Sequence, residues 1–489
     1  MLHTPSFPAW APRLAAWRSK LRSGPTAQPL LHQLALLFAP LLAAGDLQPE
    51  ARQQCSRRRH WPKDLIFWTF LAQILFPRAS CRWAVSQARA QAINQGFKVP
   101  SADTSPYCQA RDRFKLEWIH KFIDRVRMIL LQRVPDQLLW RGHSVKVLDA
   151  STVDLPDTAA NQADFPQPPS QKPGLGFPLV RVSAMFCLAS GALLGYVTGA
   201  YAQSELVLAT KLLKHLGPRD VLLADRLYGC YRLIVQVMAL RAQVVCRLHG
   251  SRKVDFRQAR RLGKNDALFV WKRPTHRPKG FTRKQWVALP DELTVRLVRY
   301  SLIVAGFRTR QVTLVTTLLD AKAYPPQALA QLYKRRWNIE LSFAQIKTIL
   351  QMESLSSLSP AMVHKELAMH LLAYQLIRVL MQEASLRWHS PLERLSFKGS
   401  LDALQHYSQA MLGARTKKKR AELYDDLLKQ IASDQVPERP NRREPRALKR
   451  RLKNFQRLTA PRHQFTDTPH HSRVLSKRAK SRNVLLRLI

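Results

Sequence analysis

The spacing of apolar residues changes along this chain, and the changes divide it. Residues 1–140 are rich in Leu and Ala, with apolar positions recurring at helical spacing and few strand-like runs. Within them Ser101, Asp103 and Thr104 give a start signal for one long basic helix, "SPYCQARDRFKLEWIHKFIDRVRMIL". From residue 144 the pattern turns β-like. "SVKVLDAS" (144–151) reads as a short apolar strand closed by Asp149, and "LVRVSAMFCLASGALLGYVTGA" (179–200) as a hairpin turning at Ser190 and Gly191. Helical period returns in "SELVLATKLLKHLG" (204–217), which ends on Gly217. "DVLLADRLYG" (220–229) is a buried-type strand ending in Asp225, followed by a helix over about 230–242 and a strand, "QVVCRLHG". That order predicts a mixed α/β sheet over residues 141–249.

Residues 250–311 interrupt the order. They are basic and β-leaning, contain Trp271 and Trp286, and are expected to form a β-rich inserted subdomain. The core resumes with "VTLVTTLL" (312–319). A proline pair then opens the helix "PPQALAQLYKRRWNIELSFAQIKTIL". Helical pattern continues to about residue 412. From "TKKKR" onward the tail, 413–489, is dominated by Lys, Arg and Pro and is expected to be mobile. Its stretch "RREPRALKRRLKNFQR" fits non-specific DNA binding or a solvated appendage equally.

Charge narrows the partner. Lys and Arg number 79 against 33 Asp and Glu, a formal net charge of +46 on 489 residues that are 46% hydrophobic. So apolar a chain is not simply disordered, and so basic a one calls for an anion. Nucleic acid leads, because phosphate neutralisation rewards Lys and Arg directly. An anionic membrane surface is the rival. The apolar runs near residues 30–44 and 64–76 are too short to span a bilayer, so the chain is expected to be cytoplasmic, with no membrane partner. Its six cysteines show no CxxC pair and no His cluster at metal spacing, which argues against a disulfide framework or a zinc site.

Acids are scarce, which makes their placement informative. Asp149 and Asp225 each close an apolar strand, where open α/β sheets present their ligands. Singly, each is read more simply as the start of a turn; two alike in one sheet favour function. In "YKRRWNIELSFAQIK", Tyr333, Arg336, Glu340 and Lys347 are offset by three, seven and fourteen residues. At 100° per residue they fall within an arc of about 60° and span about 21 Å of one helix face. A solvated charged face with an Arg336–Glu340 pair is the plain reading. Three carboxylates from three elements beneath a basic cleft would also suit two Mg²⁺ ions, with Mn²⁺ as a substitute, around a scissile phosphate. Arg335 in this helix, and Arg111 and Arg113 in the N-terminal basic helix, are further candidates for DNA contact, a solvated basic face being the alternative for the latter two.

The spacing Tyr-x2-Arg-x3-Glu-x6-Lys at Tyr333, Arg336, Glu340 and Lys347 resembles the signature of insertion-sequence-4 type DDE transposases. "LDASTVDLPDT" at Asp149 and "LLADRLYG" at Asp225 match the other two acidic motifs in order and context. The resemblance covers roughly residues 140–380. It implies a ribonuclease-H-like mixed-sheet core with a β-rich insertion, flanked by helical N- and C-terminal regions. The parts would be a DNA-end-binding region (1–140), core (141–249), insertion (250–311), second core part with the signature helix (312–412) and basic tail (413–489). It further implies that Asp149, Asp225 and Glu340 bind the divalent metals and that Tyr333, Arg336 and Lys347 grip phosphates near the element's terminal inverted repeat. The activity implied is metal-dependent DNA cleavage and strand transfer to a target by a homodimer on the bacterial nucleoid. Hairpin-forming relatives carry a tryptophan in the strand before the signature helix. Here that strand, "RQVTLVTT", has none, and Trp271 and Trp286 read better as buried structural residues, so the hairpin step is left open. Two other readings remain: a nuclease of the same fold without strand transfer, and an inactivated transposase that only binds DNA.

Overall fold

The computed structural model describes residues 29–42, 47, 61–252, 254–277, 282–301, 311–414, 416–437 and 458–465. Residues 1–28 of the expected end-binding region, Cys55, residues 302–310 of the expected insertion, the basic stretch 442–457 and residues 466–489 lie outside them.

Among the described residues one mixed sheet contains β1 (Ser144–Asp154), β2 (Leu179–Cys187), β3 (Leu193–Ala200), β4 (Asp220–Ala224), β5 (Gln243–Arg247), β6 (Arg260–Gly263), β7 (Asp266–Lys272), β8 (Glu292–Ser301) and β9 (Gln311–Thr316). The strand order is β3-β2-β1-β4-β5-β9-β8-β7-β6. β1, β2 and β3 are antiparallel neighbours, and β1, β4 and β5 run parallel. This is the ribonuclease-H-like arrangement. β4 is buried at every position, as a continuous apolar run between two parallel neighbours requires.

Helices α1 (Leu30–Leu42), α2 (Lys63–Leu75), α3 (Cys81–Asn94), α4 (Ser105–Arg113) and α5 (Leu116–Gln132) precede the sheet. α6 (Glu205–Leu212) and α7 (Tyr231–Ala239) lie between its strands. α8 (Pro326–Lys334), α9 (Asn338–Ala344), α10 (Pro360–Trp388), α11 (Phe397–Ala410) and α12 (Lys417–Ser433) follow it. α10 is the hub. Every residue from Glu366 to Gln382 is buried, so this helix has no solvent face along that stretch. Its polar side chains serve both neighbours. Gln375 accepts from the Leu193 N–H at the start of β3 (3.1 Å) and donates to the Ile123 carbonyl of α5 (3.0 Å), and Gln382 donates to Leu130 of the same helix (3.0 Å). Arg378 donates to the Ser190 carbonyl in the β2–β3 turn (2.6 Å). Gly191 follows with φ +70°, and a Cβ there would stand 2.6 Å from the Arg378 guanidinium.

Four expectations change. The long basic helix is two, because Phe114 and Lys115 are extended between α4 and α5; the buried Phe114 ring packs against Phe67. The strands expected as a separate insertion continue the core sheet, since β8 pairs with β9 along six positions. "TKKKR" opens no mobile tail: Thr416 caps α12, which buries Leu427, Leu428, Ile431 and Ala432 and packs on α10. Finally, β1 does not close at Asp149 but runs on to Asp154, because its pairing with β2 outlasts its pairing with β4.

Candidate active site

The parallel register between β1 and β4 ends at Leu148 and Ala224. One step further stand Asp149 and Asp225, abreast, where the two strands part. Each carboxylate is fixed by its own backbone: Asp149 Oδ1 accepts from the Ala150 N–H (2.8 Å) and Asp225 Oδ1 from the Leu227 N–H (2.7 Å).

Glu340 arrives on the signature helix, which is not uniform. α8 tightens into a 3-10 turn at Arg335–Trp337, resumes as α9, and loosens into a π turn at Gln345–Ile349. The two departures from 100° per residue run in opposite senses, so they offset one another along the face. Ile339, Phe343 and Ile346 anchor the helix, with the Phe343 ring edge-on to Phe186 of β2. This seats Arg336 over β1. Arg336 donates to Glu340 Oε1 at 2.8 Å and stands 3.5 Å from Asp149 Oδ2. Lys347 donates to Ser151 Oγ (3.2 Å), two residues beyond Asp149 on the same strand face. Tyr333 is buried, and that burial raises its hydroxyl pKa, with the Asp225 charge among the smaller causes.

The Asp149 carboxyl is pushed up to about 6, first by burial; the Asp225 and Glu340 charges push the same way, while the Ala150 N–H and Arg336 oppose them. Crowded carboxylates of this kind favour a cation between them. The donor set, three carboxylates, is of the hard-oxygen type that Mg²⁺ and Mn²⁺ take. As arranged, Glu340 is turned to Arg336, and among the described residues no three such side chains already share a metal-holding position. The residues fit divalent ions in kind, with Arg336 as the cation between Asp149 and Glu340.

The sequence matches the family described as "Transposase DDE domain" over residues 140–376. The transposase InsG of insertion sequence element IS4 from Escherichia coli K12 is 28% identical over 429 residues, covering 84% of this chain and 92% of that one. The chain resembles the DDE transposases. A transposase of this kind acts on DNA and depends on divalent metal ions. A cryo-EM structure of the piggyBac transposase synaptic complex with hairpin DNA covers 84% of this chain and 86% of its own, at 10% identity and a TM-score of 0.40, too distant to place any residue.

Of the other candidate residues, Arg335 is partly exposed and ion-paired with Glu393 (3.3 Å), and Arg113 is exposed. Arg111 does not face DNA. It is 8% exposed, donates to Gln73 (3.2 Å) and lies over the Phe70 and Tyr107 rings. The α4–α5 break turns it into the helical core, which is the physical reason for that correction. Trp271 and Trp286 are both buried. The sequence reading passed over Trp337, which is 50% exposed beside Arg336, its ring 5.5 Å from the guanidinium carbon. Its adjacency to a signature arginine was the available signal. No described helix is long and apolar enough to cross a membrane.

Proposed function

We propose that this protein is a transposase that cuts its element's terminal repeats and joins them to a target at a site built by Asp149, Asp225 and Glu340. The observation that carries the reading is the β1–β4 register, which sets two aspartates abreast beneath the helix that carries Glu340. The three carboxylates would hold two Mg²⁺ ions, with Mn²⁺ as a substitute. Such ions supply activation of the attacking oxygen and charge stabilisation of the leaving one in an in-line displacement.

The chain's own residues do the rest. Arg336, released from Glu340, is placed to grip a phosphate oxygen beside the scissile bond, and Lys347 reaches the next phosphate from the Ser151 side. Tyr333, buried with a raised pKa, stays protonated and donates a hydrogen bond. Trp337 offers an aromatic face at the rim, the kind of platform on which a displaced base stacks; it is the candidate for the tryptophan missing before the signature helix. Arg335 and Arg113 would contact backbone further out. The reading includes a homodimer on paired ends, cut-and-paste excision, and work on the bacterial nucleoid.

The test uses purified protein, Mg²⁺ and a labelled duplex carrying the element's own end, resolved on a denaturing gel beside Asp225→Asn. A boundary nick that matures to a hairpin and then joins a target is expected. A nick that stays open with no joined product would leave a nuclease. Tight binding without cutting by either protein would leave a DNA-binding remnant.

A further inference from the structure

Six non-glycine residues among those described have positive φ, and four of them are arginine, although Lys and Arg together make up only 79 of 489 residues. Three of the four, Arg141 (φ 50°), Arg219 (φ 66°) and Arg241 (φ 59°), stand in the turns that lead into the parallel strands β1, β4 and β5. Each occupies a different kind of turn at the position where glycine or asparagine is the ordinary choice. Arg141 and Gly142 are the two central residues of the turn closed by paired hydrogen bonds between Trp140 and His143 (both 2.9 Å), a place that asks for positive φ twice. Arg219 follows Pro218 in the turn closed by the Asp220 N–H to the Gly217 carbonyl (3.2 Å), the slot that takes glycine in a type II turn. Arg241 ends α7, its N–H bonded to Met238 and that of Ala242 to Val237 (2.8 and 3.3 Å), in the left-handed position where helices usually place glycine.

The three turns touch. The Arg219 N–H donates to the Arg241 carbonyl (3.4 Å), and the His143 ring bonds the Arg219 carbonyl through Nδ1 (2.7 Å). All three side chains are exposed. Arg141 also donates to the Ala323 carbonyl (3.0 Å). The acids that neighbouring segments bring to this edge are engaged: Asp220 pairs with Lys146 (2.6 Å), and Asp320 accepts from the Lys322 and Ala323 N–H groups. Three like charges are therefore held side by side, in backbone conformations that an L-residue with a side chain resists. Nothing in the turns themselves calls for a guanidinium.

We infer that Arg141, Arg219 and Arg241 form a phosphate-binding ridge for a second stretch of duplex DNA, on the sheet edge opposite the paired acids. Adjacent strands step by about 5 Å, the scale on which phosphates follow one another along a DNA strand. The ridge lies about 20 Å from the acids, Arg219 standing six residues back along β4 from Asp225 at about 3.3 Å each. DNA on it is therefore a different segment from the one being cut. The inference rests on the chain being a protein that acts on DNA.

The test replaces all three arginines by glycine in the full chain. Glycine relieves the positive φ, so the variant is expected to melt no lower than the native protein, which keeps a binding defect from being a folding defect. Binding to a labelled random-sequence duplex is measured across salt concentrations. Losing three phosphate contacts should flatten the slope of log K against log salt by roughly 3, while nicking of a saturating element-end duplex continues. The triple lysine variant should recover most of the slope. An unchanged slope in the glycine variant overturns the ridge and leaves three turn residues. Displacement of duplex DNA from the ridge by an acidic polypeptide at far lower concentration than by unlabelled DNA of equal charge would assign the surface to a protein partner instead. A native protein with no salt-dependent DNA binding would sink the DNA reading itself, a result separable from an unchanged slope.

Discussion

Two arginine–carboxylate constellations lie in the same sheet system and are built to different standards. Arg296 of β8 is fully buried and grips Asp266 of β7 with two parallel bonds, Nε to Oδ1 at 2.7 Å and Nη2 to Oδ2 at 2.5 Å. Its remaining nitrogen, Nη1, donates to the carbonyls of Leu318, Asp320 and Tyr324. Arg336 makes one close bond, to Glu340, stands off Asp149 at 3.5 Å, and keeps a buried Nε with no hydrogen-bond partner. A buried ion pair with every guanidinium nitrogen engaged is a structural part. One left incomplete, beside a carboxyl pushed up to about 6, is an arrangement waiting for other ligands.

The comparison fails or sharpens at four points. The largest effect is expected from Glu340→Gln or Asp225→Asn. Each should reduce metal-dependent cleavage on the order of 10³-fold or more, with end binding by gel shift nearly unchanged; cleavage that survives removes these residues from the site.

Next, breaking the finished pair should cost stability and breaking the unfinished one should not. Asp266→Asn is expected to lower unfolding free energy by about 3–5 kcal/mol, measured in denaturant. Arg336→Gln should lower it by less than about 1 kcal/mol while cleavage falls steeply. Equal losses in the two variants would erase the distinction drawn here.

The third point is the pH dependence of the metal-free protein. A carboxyl raised from 3.8 to about 6 in the fold adds no penalty below its unfolded pKa. The penalty grows as pH rises between the two values and is complete above the higher one. Asp149→Asn should therefore stabilise the metal-free protein at pH 8 by something on the order of 3 kcal/mol, a gain that fades as pH falls through 6 toward 4. Melting curves across that range check it, and a gain that grows toward acid would have the wrong sign. The smallest effect is expected from Lys347→Ala, a loss of about tenfold or less in cleavage at limiting DNA, with little change once DNA saturates.

Much of the core was legible because its signals are local. The β2–β3 hairpin, β4 ending before Asp225, β5 and the Pro-opened signature helix all follow from period and turn residues. The misses are long-range. Nothing near Asp149 says that β2 will hold β1 straight to Asp154, nor does "ELTVRLVRYS" reveal that it will extend the core sheet rather than start another. The Lys417–Lys419 run masks four apolar residues that pack on α10 only once that helix is present. Arg111 looked like a phosphate ligand because basic periodicity cannot tell an outward arginine from one folded over Phe70. The spacing of Tyr333, Arg336, Glu340 and Lys347 was readable as one face, but not that a tight turn and a loose one offset each other to keep it so.

Burial of α10 on all sides has a consequence for how the chain is made. The partners of α5 within that helix are synthesised 252 residues after the α5 carbonyls they bond. At about 5–20 residues per second, the early helices wait some ten to fifty seconds with their apolar faces open. A ribosome-bound chain stopped before residue 360 is expected to be protease-sensitive through α5 and to recruit chaperones, and one stopped after α12 has left the exit tunnel is not. The order of synthesis thus withholds a finished set of N-terminal helices until the sheet and α10 already exist, so that truncated products of the same gene would hold those helices in no folded form.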